Sequence, residues 1–195
     1  MIDITIPKNN EEEFIEIASK LGIKKIWFLY DFDNYDDGKA QKKLSLIQEN
    51  KNIQIETGFI VNQKNINKAY KQSTLLVVKS SDKDRFFIES KKIKLIYGFE
   101  DVQRKDYLHQ RASGLNHITC ELAKKNNIII GFSYGNLFNK SGQEISTLIG
   151  RMIQNIALCQ KYKVKMTVAS FAEKPFDLRL IHDIDSFFAM MGKIF

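Results

Sequence analysis

Proline is nearly missing from this chain of 195 residues: Pro7 and Pro175 are the only two. With so little punctuation, and with no linker, repeat or low-complexity stretch, one domain over 1–195 is expected. Cysteine is equally scarce. Cys120 and Cys159 stand far apart, which excludes a disulfide framework and any zinc-finger spacing and fits a reduced, cytoplasmic protein. No run of about 18 apolar residues occurs, so no membrane-spanning helix is expected. The opening stretch from Met1 to Phe14 has neither a basic nor an apolar leader segment, so no signal peptide is expected. Glycine-rich phosphate loops of the G-x-G-x-x-G or P-loop kind are also lacking.

What the chain does have is lysine and apolar runs. Residues 1–78 carry 11 Lys against 11 Asp+Glu, whereas residues 79–195 carry 19 Lys+Arg against 12 Asp+Glu, so the second part holds the whole net charge of +7. All five arginines, Arg85, Arg104, Arg111, Arg151 and Arg179, fall there. In a chain that otherwise uses lysine, a planar guanidinium fork points to recognition of phosphate or carboxylate.

Apolar runs predict strands over Ile2–Ile6, Lys24–Tyr30, Ile53–Val61, Leu75–Ser80, Lys94–Phe99, Ile128–Ser133 and Met166–Ser170. Several are nearly continuous, as in strands of a parallel sheet covered on both faces. Helices alternate with them. Asn9 as a cap, followed by Asn10-Glu11-Glu12-Glu13, marks one start. Ser141-Gly142-Gln143-Glu144 is a capping-box pattern, and Ile145, Leu148, Ile149, Met152, Ile153 and Ile156 then keep helical spacing. Leu115, Ile118, Leu122 and Ala123 form a second stripe, stopped by Asn126-Asn127. Shorter helices are expected over Ala40–Glu49, Ile66–Lys71, Lys83–Ser90 and Asp183–Met191. Seven βα-type units predict an α/β fold, a TIM-barrel-like (β/α) barrel that is irregular or incomplete for want of an eighth unit.

In a barrel, chemistry gathers at the carboxyl ends of the strands. Those ends carry Asp31 and Asp33, then Lys79, Ser80 and Ser81, then Glu100 and Asp101, then Ser133, Ser170 and Asp177, but no histidine. A metal cage is therefore not expected, nor any cofactor held by the protein. The turn from Asp31 to Gly38 does not fit a calcium loop, because the positions that need oxygen ligands hold Tyr35 and Leu44. His109 and His117 are eight apart, too far for a helical zinc pair. By the 100° count His117 lies near the surface, and Cys120 lies off the Leu115/Ile118/Leu122 stripe. Gly131-Phe132-Ser133-Tyr134-Gly135 formally matches a nucleophile elbow, with His182 and Asp177 or Asp183 as remote partners, so a serine hydrolase built on Ser133 is one alternative and a metal-dependent barrel phosphoesterase another. Arg104, Lys105 and Arg111 lie in a polar loop, Arg151 faces away from the apolar stripe of its helix, and Lys174 and Arg179 flank Pro175-Phe176-Asp177. Such positions suit RNA phosphates or an acidic partner.

These residues carry a resemblance. Arg111-Ala112-Ser113-Gly114-Leu115-Asn116-His117, Ile130-Gly131-Phe132-Ser133, Leu148 to Met152, Lys161-Tyr162-Lys163-Val164, Ala169-Ser170, and Asp177-Leu178-Arg179 with Asp183 occur in the order seen in the protein component 3 family of archaeal ribonuclease P. The first hundred residues resemble it through their βα rhythm and the opening strand with Asp3. The resemblance implies a barrel related to the polymerase-and-histidinol-phosphatase hydrolases. It also implies a non-catalytic subunit of a ribonucleoprotein that removes the 5′ leader of precursor tRNA, with divalent metal held by the RNA. Implied partners are the RNase P RNA, a small α/β subunit (component 2), the other RNase P proteins and, indirectly, precursor tRNA. Arg111, Arg151 and Arg179 are the matched basic positions. Lys79, Arg104, Lys105 and Lys174 join them by position as candidates for RNA or partner contact, with Ser80, Ser133, Ser170 and Asp177 at the barrel mouth.

Overall fold

A computed structural model describes residues 2–35, 53–101, 105–106, 109, 111–138 and 140–192. The expected helix over Ala40–Glu49 and Arg104 lie outside them. Among the described residues, seven strands pair in chain order, all parallel: β1 (Asp3–Thr5), β2 (Lys25–Asp31), β3 (Gln54–Ile60), β4 (Leu76–Lys79), β5 (Leu95–Tyr97), β6 (Ile129–Ser133) and β7 (Met166–Ala169). Each closely follows its expected span. Among the described residues, six helices surround them: α1 (Glu11–Lys20), α2 (Ile66–Gln72), α3 (Asp84–Ser90), α4 (His117–Lys125), α5 (Gly142–Tyr162) and α6 (Ile181–Met190).

The strands read as buried on both faces because they are. Outward side chains such as Ile26 and Phe28 pack under α1 with Phe14, Ile15 and Ala18. Inward ones, Ile4, Leu29, Val77, Leu95, Tyr97 and Ala169, meet Phe171 inside the barrel. Tyr97 and Phe171 stack with ring centroids 4.3 Å apart. Gly131 makes room for them, since a Cβ there would sit 3.0 Å from Tyr97 Cβ and 3.1 Å from Phe171 Cζ. The aromatic pair makes the upper barrel a packed core.

Seven strands leave a seam between β1 and β7. A single parallel bridge, Thr5 with Ala172, spans it, with the Ile6 amide donating to Ala172 O at 2.8 Å. The rest of the closure is made by side chains. Asp3 Oδ1 accepts the Ser170 amide at 2.7 Å and the Ile4 amide at 2.8 Å, and Ser170 Oγ donates to Ile4 O at 3.2 Å. Burial raises the Asp3 carboxyl to about 6 against these stabilising amides.

Local signals mostly hold. The Ser141 capping box forms as expected, with Ser141 Oγ accepting the Glu144 amide. Asn10, rather than Asn9, is the cap residue of α1. The α4 stripe is turned relative to expectation: Cys120 and Ala123 are buried, while Ile118 is 48% exposed. The cause is α5, which covers the Cys120 side so that Cys120 meets Cys159 between the two helices. His117 is exposed, as the helical count predicts.

Asp3→Ala should lower unfolding free energy by on the order of 2–3 kcal/mol, because two buried amides lose their acceptor. Asp3→Asn keeps an oxygen there and should cost clearly less. Urea denaturation of the two variants decides it, and equal losses would mean the seam does not depend on that acceptor.

Candidate functional site

The matched stretch from Arg111 to Asn116, just before α4, is a loop laid over α5, and the sequence explains how it gets so close. Gly114 adopts φ +84°, and a Cβ there would lie 2.4 Å from Phe99 O, so only glycine lets the loop rest on the turn Phe99–Asp101 that follows β5. On α5, Gly150 faces the Arg111 guanidinium, and a Cβ at that position would come within 2.3 Å of Arg111 Cζ. The polar face of α5 then binds the loop backbone. Gln154 Nε2 donates to Arg111 O at 3.2 Å and to Ser113 Oγ at 2.7 Å, and Asn155 Nδ2 donates to Ser113 O at 2.8 Å.

Asp106 is the hub. It accepts the Ala112 amide at 2.8 Å and Arg151 Nε at 2.9 Å, with Arg111 Nη1 at 3.7 Å. Burial works to raise its carboxyl, but the Ala112 amide and the Arg151 and Arg111 cations outweigh it and hold the pKa below the usual value. Arg151 also donates Nη1 to Glu100 O at 3.1 Å. Its side chain is only 7% exposed. An exposed helix face was expected for it; the loop covers that face, so Arg151 is a buried pin and Arg111, 49% exposed, is the cation offered to solvent.

The other candidates are spread around the mouth. Lys79 from β4 and Lys140 before α5 converge on Asp101, at 3.7 and 3.3 Å. A cleft of about 410 Å³ beside them is lined by Asp101, Lys140, Glu144, Thr147 and Arg151. Across the mouth, Arg179 Nη1 donates to Phe176 O and Leu178 O at 2.8 and 2.7 Å, and its guanidinium lies 4.9 Å from the Phe138 ring centroid. Lys174 and Lys105 are exposed, and Asp177 closes the turn Pro175–Asp177. Ser80 donates to Asp84 Oδ2 at 2.6 Å. The structure thus joins Arg111 with Arg151, and Lys79 with Lys140, but not the two groups with Lys174 and Arg179.

Ser133 is 1% exposed; its Oγ accepts the Asn136 amide at 3.2 Å and points to Ser170 O at 3.5 Å. The flanking glycines have packing reasons: Gly131 clears the aromatic stack, and a Cβ on Gly135 would lie 2.6 Å from Ser170 O. His182 is exposed, with Ser186 and Asp183 as its neighbours. The serine-hydrolase alternative is not favoured. Among the described residues, no group of three or more His, Cys, Asp or Glu is arranged to hold a metal ion.

Glu100 is a residue that sequence reasoning placed at a strand end without a role. It is fully buried, and neither carboxylate oxygen has a well-formed hydrogen bond. Burial raises it to about 7, with the neighbouring Asp101 charge adding to the rise and Glu100's own backbone amide, then the Asn136 amide and Ser133 backbone, opposing it. Asp106, Gly150, Gln154 and Asn155 were also missed. The signal for the last two was the polar i, i+3, i+4 set Arg151, Gln154, Asn155 on a helix whose other face is core.

The site is a (β/α) barrel mouth at which a polar constellation on a long helix fastens a basic loop. The chain belongs to the RNase P subunit p30 family, whose model matches residues 1–193. It is similar to ribonuclease P protein component 3 of Methanocaldococcus jannaschii, 24% identical over 87 residues, or 45% of this chain and 38% of that protein. The Methanococcoides burtonii protein of the same name is 32% identical over 82 residues, covering 42% of this chain and 34% of the relative. The matched segments therefore span little more than a third of those relatives. A chain in a cryo-EM structure of archaeal ribonuclease P with mature tRNA shares the fold at TM-score 0.80 and 18% identity, over 98% of this chain and 82% of that one.

Two measurements test the site. Glu100 has a folded pKa near 7, above its ordinary 4.5, so its contribution to stability is complete below about pH 4.5 and is lost as pH rises through 7. Glu100→Gln should therefore raise unfolding free energy at pH 8 by on the order of 3 kcal/mol while changing little at pH 4. An equal shift at both pH values would refute the ionisation argument. Gly150→Ala should keep or raise Tm, since alanine gains up to about 1 kcal/mol in a helix interior, yet displace Arg111. A crystal structure of the variant with Arg111 unmoved would contradict the packing argument.

Proposed function

We propose that this chain is a protein subunit of ribonuclease P that supports the catalytic RNA in removing the 5′ leader of precursor tRNA. The observation that carries the reading is the family match along residues 1–193, which covers essentially the whole barrel. The relatives named as ribonuclease P protein components, and the shared fold with a chain of a ribonuclease P–tRNA complex, support it.

In this reading the polypeptide acts as a scaffold, and the divalent metal of the reaction sits on the RNA. The loop held by Arg151, Asp106, Gln154 and Asn155 presents Arg111 in a fixed place, so its cation contacts phosphate with little entropy left to lose. Lys79, Lys105, Lys174 and Arg179 are further contacts to RNA or to a protein neighbour, including the small α/β subunit. No described helix is long and apolar enough to cross a membrane; a cytoplasmic site belongs to this proposal.

Reconstitution tests it. The host RNase P RNA and the other protein subunits should cleave precursor tRNA faster at moderate magnesium when this chain is added. Arg111→Gln should reduce the gain and lower its dependence on salt. Cleavage indifferent to the chain would remove the proposal, and tightly bound zinc or manganese in the purified protein would favour a metallohydrolase instead.

A further inference from the structure

A concentration of unpaired charge lies at the other end of the barrel. At the mouth, most of the cations that the structure brings together sit on carboxylates: Lys8 on Glu173, Lys79 and Lys140 on Asp101, Lys83 on Asp82, Arg111 and Arg151 on Asp106; among the described residues Lys105, Lys174 and Arg179 do not. At the base, where the parallel strands begin, Lys24 and Lys25 enter β2, Lys94 enters β5, and Lys163 and Lys165 enter β7. All five are exposed, and none forms an ion pair among the described residues. The backbone places them around one rim: Lys24 O accepts the Gln54 amide, Lys94 O the Ile129 amide and Lys165 O the Ile130 amide. Helix dipoles account for basal lysines in last helical turns, such as Lys20, Lys71, Lys124, Lys125 and Lys161. The rim lysines lie beyond those turns. Among the described residues the basal carboxylates are few: Glu16 is paired with Lys20 and Glu89 with Arg85, leaving Glu121 on α4 and Glu56 on β3.

A second observation sits inside this rim. The barrel floor opens into an apolar pocket of about 420 Å³, lined by Ile2, Ile4, Trp27, Ile129, Met166 and Lys165 among others. That volume suits a flat ring of nucleobase size. Trp27, one of the lining residues, buries its Nε1 without a hydrogen-bond partner among the described residues, although buried indole NH groups normally have one. Glu56 is in register with Trp27 on the neighbouring strand, which disfavours a phosphate in the pocket itself.

Resting on the ribonuclease P reading, we infer that the barrel base binds a single-stranded RNA segment, with the rim lysines on its phosphates and one unpaired base in the pocket against Trp27. Lysines track a backbone without reading sequence, and an aromatic floor accepts any base face. The mouth loop and the base are then separate RNA contacts.

Trp27 is the only tryptophan, so its fluorescence reports on this pocket alone. Titrating the full chain with a single-stranded RNA of about 12 nucleotides, within the span such surfaces cover, should quench or shift Trp27 emission. The combined variant Lys24→Gln, Lys94→Gln, Lys165→Gln should bind with a log K against log salt slope reduced by ~2, from about 0.7 for each phosphate no longer neutralised. Arg111→Gln should leave the Trp27 response intact. RNA binding with Trp27 emission unchanged, or an unaltered slope in the lysine variant, would overturn the inference. So would a Trp27 response to polyglutamate in place of RNA, which would point to an acidic protein partner. If reconstituted cleavage falls with Arg111→Gln but not with the lysine variant, this inference fails while the ribonuclease P reading stands. If cleavage is indifferent to the chain altogether, that reading fails, and the Trp27 titration still reports separately on the pocket.

Discussion

The structure depends on one buried carboxylate. Among the described residues seven strands form the barrel, and β1 is only three residues long, so ladder pairing alone cannot seal β1 against β7. Asp3 supplies the missing acceptor by taking the Ser170 amide, and Ser170 answers by donating its hydroxyl to Ile4 O. An open seam would leave edge amides and carbonyls unpaired inside the protein. With the seam shut, the barrel has an inside for Tyr97 and Phe171, a mouth for the Arg111 loop and a base for the lysine rim.

Buried carboxylates with raised pKa values usually suggest catalysis. Asp3 and Glu100 both have them, yet the surroundings argue for architecture. Asp3 is occupied by two backbone amides of the seam. Glu100 lies in the turn that receives Arg151, with its own carbonyl, rather than its carboxylate, accepting the guanidinium. No histidine among the described residues is buried beside either group: His109, His117 and His182 are all exposed. The same logic disposes of the Gly-x-Ser-x-Gly pattern. Its spacing is real, but each glycine is there because a neighbouring ring or carbonyl comes too close for a Cβ.

The strands and their parallel order were legible in the sequence because β-period burial on both faces leaves continuous apolar runs such as Ile26 to Tyr30 and Ile128 to Phe132. The capped start of α5 was legible because its signal is local. What failed were inferences from one helix considered alone. Arg151 lies opposite an apolar stripe, so an isolated helix would show it to water; the loop carrying Arg111 comes from elsewhere in the chain and covers it. Ile118 and Cys120 exchanged places for the same reason, since only the position of α5 decides which side of α4 is inner. The hub Asp106 had no periodic signal at all. It lies in a loop, and its role is defined by two arginines, one 45 residues away.

The charge distribution was visible in the sequence only as an excess in residues 79–195, and that description concealed its geometry. Parallel strands turn sequence position into height: every residue just before a strand is at the base, every residue just after one is at the mouth. Sorted this way, the chain separates into two ends of different electrostatic character. At the mouth, carboxylates fix Lys79, Lys140, Arg111 and Arg151 in place, which favours precise contacts of low entropy cost. At the base, unpaired flexible lysines keep their counterions until an anion displaces them, which favours strong, salt-dependent and sequence-tolerant attraction. In the proposed ribonuclease P role the two kinds of surface divide the work, one setting register and the other supplying affinity. A barrel provides them at opposite ends with no change to the core between.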